Sequence, residues 1–110
     1  MKIQSSPWGR VNHQKEFAPG IYMIITAGHA GIWLSPERQA QLPAWALEIG
    51  SQYCAKPTWW EEDCEAAVVM YVFFEEIGQH WPSWSGFGMT KKKLEKFIGQ
   101  FGYLNFPQAA

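Results

Sequence analysis

Apolar and polar positions change rhythm along this chain. From Trp8 to Ser35 they repeat with period two, the signature of strands with unlike faces. Residues 10–17 alternate loosely among polar neighbours, as an edge strand does. Ala18-Pro19-Gly20 reads as a turn, because Pro presets φ at one position and Gly supplies the positive φ of the next. Ile21 to Thr26 follows, with Ile21, Met23 and Ile25 on one face and Tyr22, Ile24 and Thr26 on the other. Gly28-His29-Ala30-Gly31 turns into Ile32-Trp33-Leu34. The pattern predicts a three-stranded antiparallel meander.

Helical signals take over at Ser35. Ser35 is a good N-cap, Pro36 suits the first helical position and Glu37 favours the positive helix end. Pro43 interrupts this segment, which is either two short helices or one kinked helix reaching about Gly50. Thr58 to Glu61 fits the capping box T-x-x-E and predicts a helix from Trp59 to about Ile77. On it Trp60, Cys64, Ala67, Val68, Tyr71 and Phe74 share a face, and Val69, Met70, Val72 and Phe73 widen the apolar surface. A helix apolar on nearly all sides belongs between layers. Gly78 ends it, and residues 80–89, "HWPSWSGFGM", read as a loop carrying Trp81, Trp84 and Phe87. Thr90 caps a last helix whose Leu94, Phe97, Ile98 and Phe101 face inward. The expected architecture is α+β: an N-terminal three-stranded antiparallel meander packed against a long central helix, with two to three further helical segments. One domain is expected over residues 1–110, with residues 1–6 loose.

Composition adds bounds. Of the 110 residues, 47% are aliphatic or aromatic and seven are Trp, enough for a core or for a gripping surface. The net charge of −1 gives no global field for nucleic acid or an anionic membrane. The longest unbroken apolar run, Ala66 to Phe74, is far short of the roughly 20 residues a membrane span needs. The start "MKIQSS" has no apolar signal region, so a cytoplasmic location with Cys54 and Cys64 as free thiols is expected.

The stretch "WWEEDC", residues 59–64, is the first candidate for chemistry. Along a helix Glu61, Glu62 and Asp63 spread over roughly 200° and do not converge on one ion. No C-x₂-C or H-x₃-H pair accompanies them, so no metal or cofactor is expected. The capped first turn of a helix accounts for each letter. Residues 58–80 hold six acids and no Lys or Arg, and Glu62, Glu65 and Glu76 fall along one helix side. Such a stripe suits a basic protein surface. The aromatics Trp81, Trp84 and Phe87 suit a partner too, since loop aromatics often anchor interfaces. Lys91, Lys92 and Lys93 open a helix against its dipole, and with Lys96 they offer a site for phosphate or nucleic acid. Cysteine hydrolysis has two Cys and three His to draw on, but Cys64 falls on the apolar stripe and Cys54 carries no local signature. His29 sits in a glycine-flanked turn, and "GHAG" lacks the spacing that cradles phosphate.

Four short pieces carry a resemblance: "SPWG" at 6–9, "APGI" at 18–21, "GHAGIWLSPER" at 28–38 and "WWEEDCEAAVV" at 59–69. The chain resembles a bacterial domain family of unknown function found on phages, plasmids and integrated elements of proteobacteria. The family pattern reads S-P-W-G, G-H-G-G-I-W-L-S and Y/W-E-E-D-C, and Ala30 stands here for the second Gly of the turn. The likeness covers residues 6–75 or so. No activity of the family transfers to a residue. Trp8, Gly9, Gly28, His29, Gly31, Trp33, Glu61, Glu62, Asp63 and Cys64 read as turn, cap and core positions. The resemblance implies a small mobile-element product, and such proteins often occlude a host defence surface. The expected function is a non-enzymatic inhibitor of the anti-CRISPR kind. It would bind a bacterial defence complex through Glu62, Glu65, Glu76, Trp81, Trp84 or Phe87. The alternatives are a nucleic-acid-binding accessory protein using Lys91, Lys92, Lys93 and Lys96, and a cysteine-dependent hydrolase.

Overall fold

A short hairpin comes first in the chain: Ser5–Ser6 (β1) pairs antiparallel with Gly9–Arg10 (β2). It is closed by the Ser6 hydroxyl donating to the Gly9 carbonyl at 2.9 Å and accepting from the Trp8 N–H at 3.1 Å. Segments of a larger sheet follow, as His13–Ala18 (β3), Ile21–Ile25 (β4) and Ala30–Leu34 (β5). Then come helices Pro36–Gln39 (α1) and Ala44–Tyr53 (α2), strand Trp59–Glu61 (β6), and helices Ala66–Val72 (α3), Phe74–Ile77 (α4) and Lys91–Gly99 (α5). This is a computed structural model that describes residues 2–53, 57–61, 66–77 and 90–99. Among the described residues the fold is mixed α+β, with a two-stranded and a four-stranded antiparallel sheet and five helices.

The large sheet runs β3-β4-β5-β6, every neighbour antiparallel. A register shift between Glu16 and Ala18 bends β3 at the turn. There Gly20 takes φ +82°, a conformation most side chains resist. Cross-strand pairing sorts the faces. Ile21 and Met23 pair with Leu34 and Ile32, and Ile32 pairs with Trp60. All five are buried in the main core. Fully burying an aliphatic side chain such as Ile32 contributes roughly 1.5–3 kcal/mol.

Trp59–Glu61 corrects the capping-box expectation. These residues are the fourth strand, not the first turn of a helix. Trp33 pairs with Trp59, Ile32 with Trp60 and Gly31 with Glu61. The physical reason lies in β5, whose outer edge would otherwise leave backbone donors and acceptors unpaired inside the fold. The Leu34 N–H donates to the Thr58 carbonyl at 2.9 Å. The Thr58 hydroxyl accepts from the Gln39 side-chain amide at 3.2 Å instead of capping. Trp60 is fully buried, as a stripe position should be, but on a sheet face. Its indole N–H donates to the Pro57 carbonyl at 2.9 Å.

The central helical region is therefore shorter than the expected Trp59–Ile77. Ala66 to Met70 are all buried between sheet and helices. The path tightens at Phe73: its N–H keeps the helical bond to the Val69 carbonyl, while its carbonyl accepts from both Glu76 and Ile77 at 3.0 Å. Pro43 separates α1 from α2. Ser35 caps α1, its hydroxyl accepting from the Arg38 N–H at 3.2 Å, with Pro36 at the first turn. Thr90 caps α5 through the Lys93 N–H at 3.1 Å, and Leu94 and Ile98 are buried against α3. Among the described residues no helix is long and apolar enough to cross a membrane.

The second face of the large sheet is covered differently. Trp8, from the small hairpin, lies on Gly31 of β5, where a Cβ would run into the Trp8 ring and the Trp60 carbonyl. Trp8 also meets Trp59 edge-on, with centroids 5.7 Å apart. Thus two widely spaced sequence pieces, "SPWG" and "AGIW", are one packing unit.

Candidate functional site

An open cleft of about 640 Å³ lies at the end of the large sheet, where the β3–β4 turn meets the β5–α1 junction. Its walls are Pro19, Gly20, Tyr22, Trp33 and Ser35, with Glu37, Arg38 and Gln41 from the α1 region and Glu76 from α4. Strand pairing sets the aromatic wall. Tyr22 and Trp33 are cross-strand partners, and their rings meet edge to face at 5.8 Å and 74°. That geometry places one ring's positive edge on the other's negative face. The Tyr22 hydroxyl donates to the Glu16 carboxylate at 3.0 Å. This bond, with burial and the Glu16 charge adding to it, holds the phenol above its ordinary range.

Arg38 organises the other wall. Its Nε donates to the Pro19 carbonyl at 2.8 Å. Nη1 and Nη2 fork onto Glu76 at 2.7 and 2.8 Å, and Nη1 also reaches Gln41 Oε1 at 3.1 Å. The guanidinium carbon stands 5.2 Å from the centre of the Phe73 ring. One side chain thus ties a β-turn, α1 and α4 together. Gly20 makes room for it, since a Cβ there would meet Ser35 Oγ and sit 2.9 Å from Arg38 Cγ. Arg38 is 11% exposed and Glu76 45%. The hydrogen bonds from Arg38 lower the Glu76 pKa against the opposing effect of burial, and the guanidinium charge reinforces them.

The expected contact residues divide three ways. Glu76 lines the cleft with its carboxylate already held by Arg38. Glu62, Glu65, Trp81, Trp84 and Phe87 lie outside the described residues, as do Cys54, Cys64 and Phe101. The helix expected to carry Glu62, Glu65 and Glu76 does not begin at Trp59, because Trp59–Glu61 is β6. Lys91, Lys92, Lys93 and Lys96 are all exposed on α5, a different element from those that build the cleft. Lys91 holds its ammonium 5.2 Å from the Tyr71 ring centre, an arrangement that favours a cation. The Tyr71 hydroxyl donates to Glu95 at 2.7 Å, and burial first, then this bond, pushes its pKa up to about 12. Trp45 packs edge-on against the same ring at 5.9 Å. The lysine at the helix start therefore has an intramolecular contact that offsets its poor position in the dipole.

Tyr22, Trp33, Glu37 and Arg38 were not singled out as binding residues by the sequence. Two signals were there to find. Tyr22 sits on the opposite face of its strand from Ile21 and Met23, and Arg38 lies three residues after an N-cap. Neither reveals that a turn 19 residues earlier and a helix 38 residues later close around one guanidinium. His29 is exposed in its hairpin, where its carbonyl accepts from the Thr26 hydroxyl at 3.0 Å. Among the described residues no three His, Cys, Asp or Glu side chains come together as a metal site would need.

The cleft offers an aromatic wall, a fixed ion pair and a solvent-open floor, the mixture found at protein interfaces. No curated protein and no solved structure matches the chain. A family model described as "Domain of unknown function (DUF7007)" matches residues 1–96, and the chain belongs to that family.

Proposed function

We propose that this protein is a non-enzymatic inhibitor that docks on a bacterial defence complex of the CRISPR-Cas type and covers its nucleic-acid or nuclease surface. The cleft carries the binding part of this reading: Tyr22, Trp33 and Arg38 are the residue types that dominate interface energetics, and they meet in one concave surface. The motifs "SPWG", "GHAGIWLS" and "WWEEDC" support the mobile-element context through the resemblance they carry. Glu62, Glu65, Trp81, Trp84 and Phe87 are proposed as further contacts. The test is a plasmid-interference assay in bacteria with active defence systems, with wild type beside Trp33→Ala and a Glu62→Lys/Glu65→Lys pair. Restored plasmid uptake that fails with either variant, while both remain folded, supports the reading. Full interference across a panel of systems removes the defence assignment, and equal potency of all variants removes these surfaces.

A second reading rests on the exposure of Lys91, Lys92, Lys93 and Lys96 along α5. It is a nucleic-acid contact, for which affinity falls steeply with salt. A flat salt response in a duplex or single-strand binding assay overturns it.

A further inference from the structure

We infer that the cleft is a receptor for an arginine side chain presented by the partner protein. This deepens the protein-binding reading above and rests on it. The argument starts from charge. Arg38 is the cationic side chain in the lining, and its charge is matched by the forked bond to Glu76. Glu37, exposed in the same lining, has no ion pair among the described residues, and neither does Glu16 behind Tyr22. The cleft therefore keeps a net negative character. The aromatic wall points the same way. Indole is the best ring for attracting a cation, and a phenol that donates to a carboxylate, as Tyr22 does to Glu16, has a more electron-rich face.

A planar guanidinium fits both demands, because it stacks on aromatic faces and forks onto carboxylates, where an ammonium does neither as well. The fold already uses this chemistry once, in Arg38 over Phe73 and across Glu76. Trp33 and Glu37 would repeat it for a visiting side chain.

The experiment follows backbone and indole N–H resonances of the whole protein by NMR. The probe is a blocked Gly-Arg-Gly peptide, and the control is the same peptide with citrulline, which keeps the shape and removes the charge. Shifts centred on Trp33 and the Glu37 amide are expected with arginine. The affinity should drop about two- to fivefold in Glu37→Gln and in Trp33→Leu, the size of one exposed charge pair or one cation–π contact. Glu75→Gln, a charge loss outside the cleft, should leave it unchanged. Glu37 is exposed, so its variant remains informative if Trp33→Leu disturbs the fold. Equal response to citrulline, or shifts centred elsewhere, overturns the proposal. A captured partner lost with Trp33→Leu but kept with Glu37→Gln and indifferent to arginine leaves the docking reading standing and removes this one. Arginine binding at the cleft, with partner capture independent of it, leaves docking standing through another surface and removes the partner's arginine as the occupant of the cleft.

Discussion

Trp8 rests on Gly31: the indole of a two-stranded hairpin fills the space where β5 has no side chain. The contact joins the first described residues to the middle of the large sheet and shields the face opposite the main core. Substituting Gly31→Ala puts a methyl into the Trp8 ring and the Trp60 carbonyl. A loss of about 1–3 kcal/mol is expected, the usual cost of overpacking. Urea unfolding checks it. The double variant with Trp8→Ala should recover only part of that loss, because the Trp60 carbonyl belongs to the sheet backbone and cannot step aside. Full recovery would show that the indole alone enforces glycine there.

Strand pairing of Trp60 with Ile32 makes a prediction a helix would not share. Cross-strand nuclear Overhauser contacts are expected between the backbones of residues 32 and 60, with extended carbon shifts over 59–61. Sequential helical amide contacts through 59–61 would contradict it. Trp60→Ala should cost about 3–5 kcal/mol, as a fully buried indole does.

The Arg38–Glu76 fork gives stability a pH dependence whose sign is fixed. The Glu76 carboxyl is held below its ordinary 4.5. A carboxylate stabilised in the folded state contributes above its unfolded pKa and loses that contribution as pH falls through the folded one. Arg38→Met should therefore be destabilised relative to wild type at neutral pH, by about 1–2 kcal/mol. The gap should narrow below pH 4.5 or so. Urea midpoints at neutral and strongly acidic pH measure it, and a constant gap would mean Arg38 acts through contacts that do not titrate, its bonds to Pro19 and Gln41 and its packing on Phe73. Arg38→Lys should not rescue, because an ammonium cannot fork onto Glu76 and also reach the Pro19 carbonyl.

Tyr71 sets the alkaline side. Its folded pKa of about 12 stands above the ordinary 10.0, so the neutral phenol is the stabilised form. Its contribution is complete below the unfolded value and disappears between pH 10.0 and about 12. Tyr71→Phe removes the bond to Glu95, with a loss of about 1 kcal/mol at neutral pH. The variant should show a flatter stability profile over that alkaline window. An unchanged profile would place the alkaline transition elsewhere.

The sequence by itself determined the local elements whose signals are complete within a few residues. The Pro19-Gly20 turn, the two faces of Ile21 to Ile25, the Ser35 cap with Pro36, the break at Pro43 and the Thr90 cap all depend on neighbours at most four positions away. Two features needed the tertiary structure. Thr58 to Glu61 spells a capping box, yet β5 offers it an unpaired edge, and sheet hydrogen bonds together with burial of Trp60 outweigh a local cap worth about 1 kcal/mol. The cleft was illegible for a related reason: Arg38 meets Pro19 and Glu76 through space. Charge and aromaticity along a chain show what can bind, while only the closing of distant segments decides which of those groups face one another.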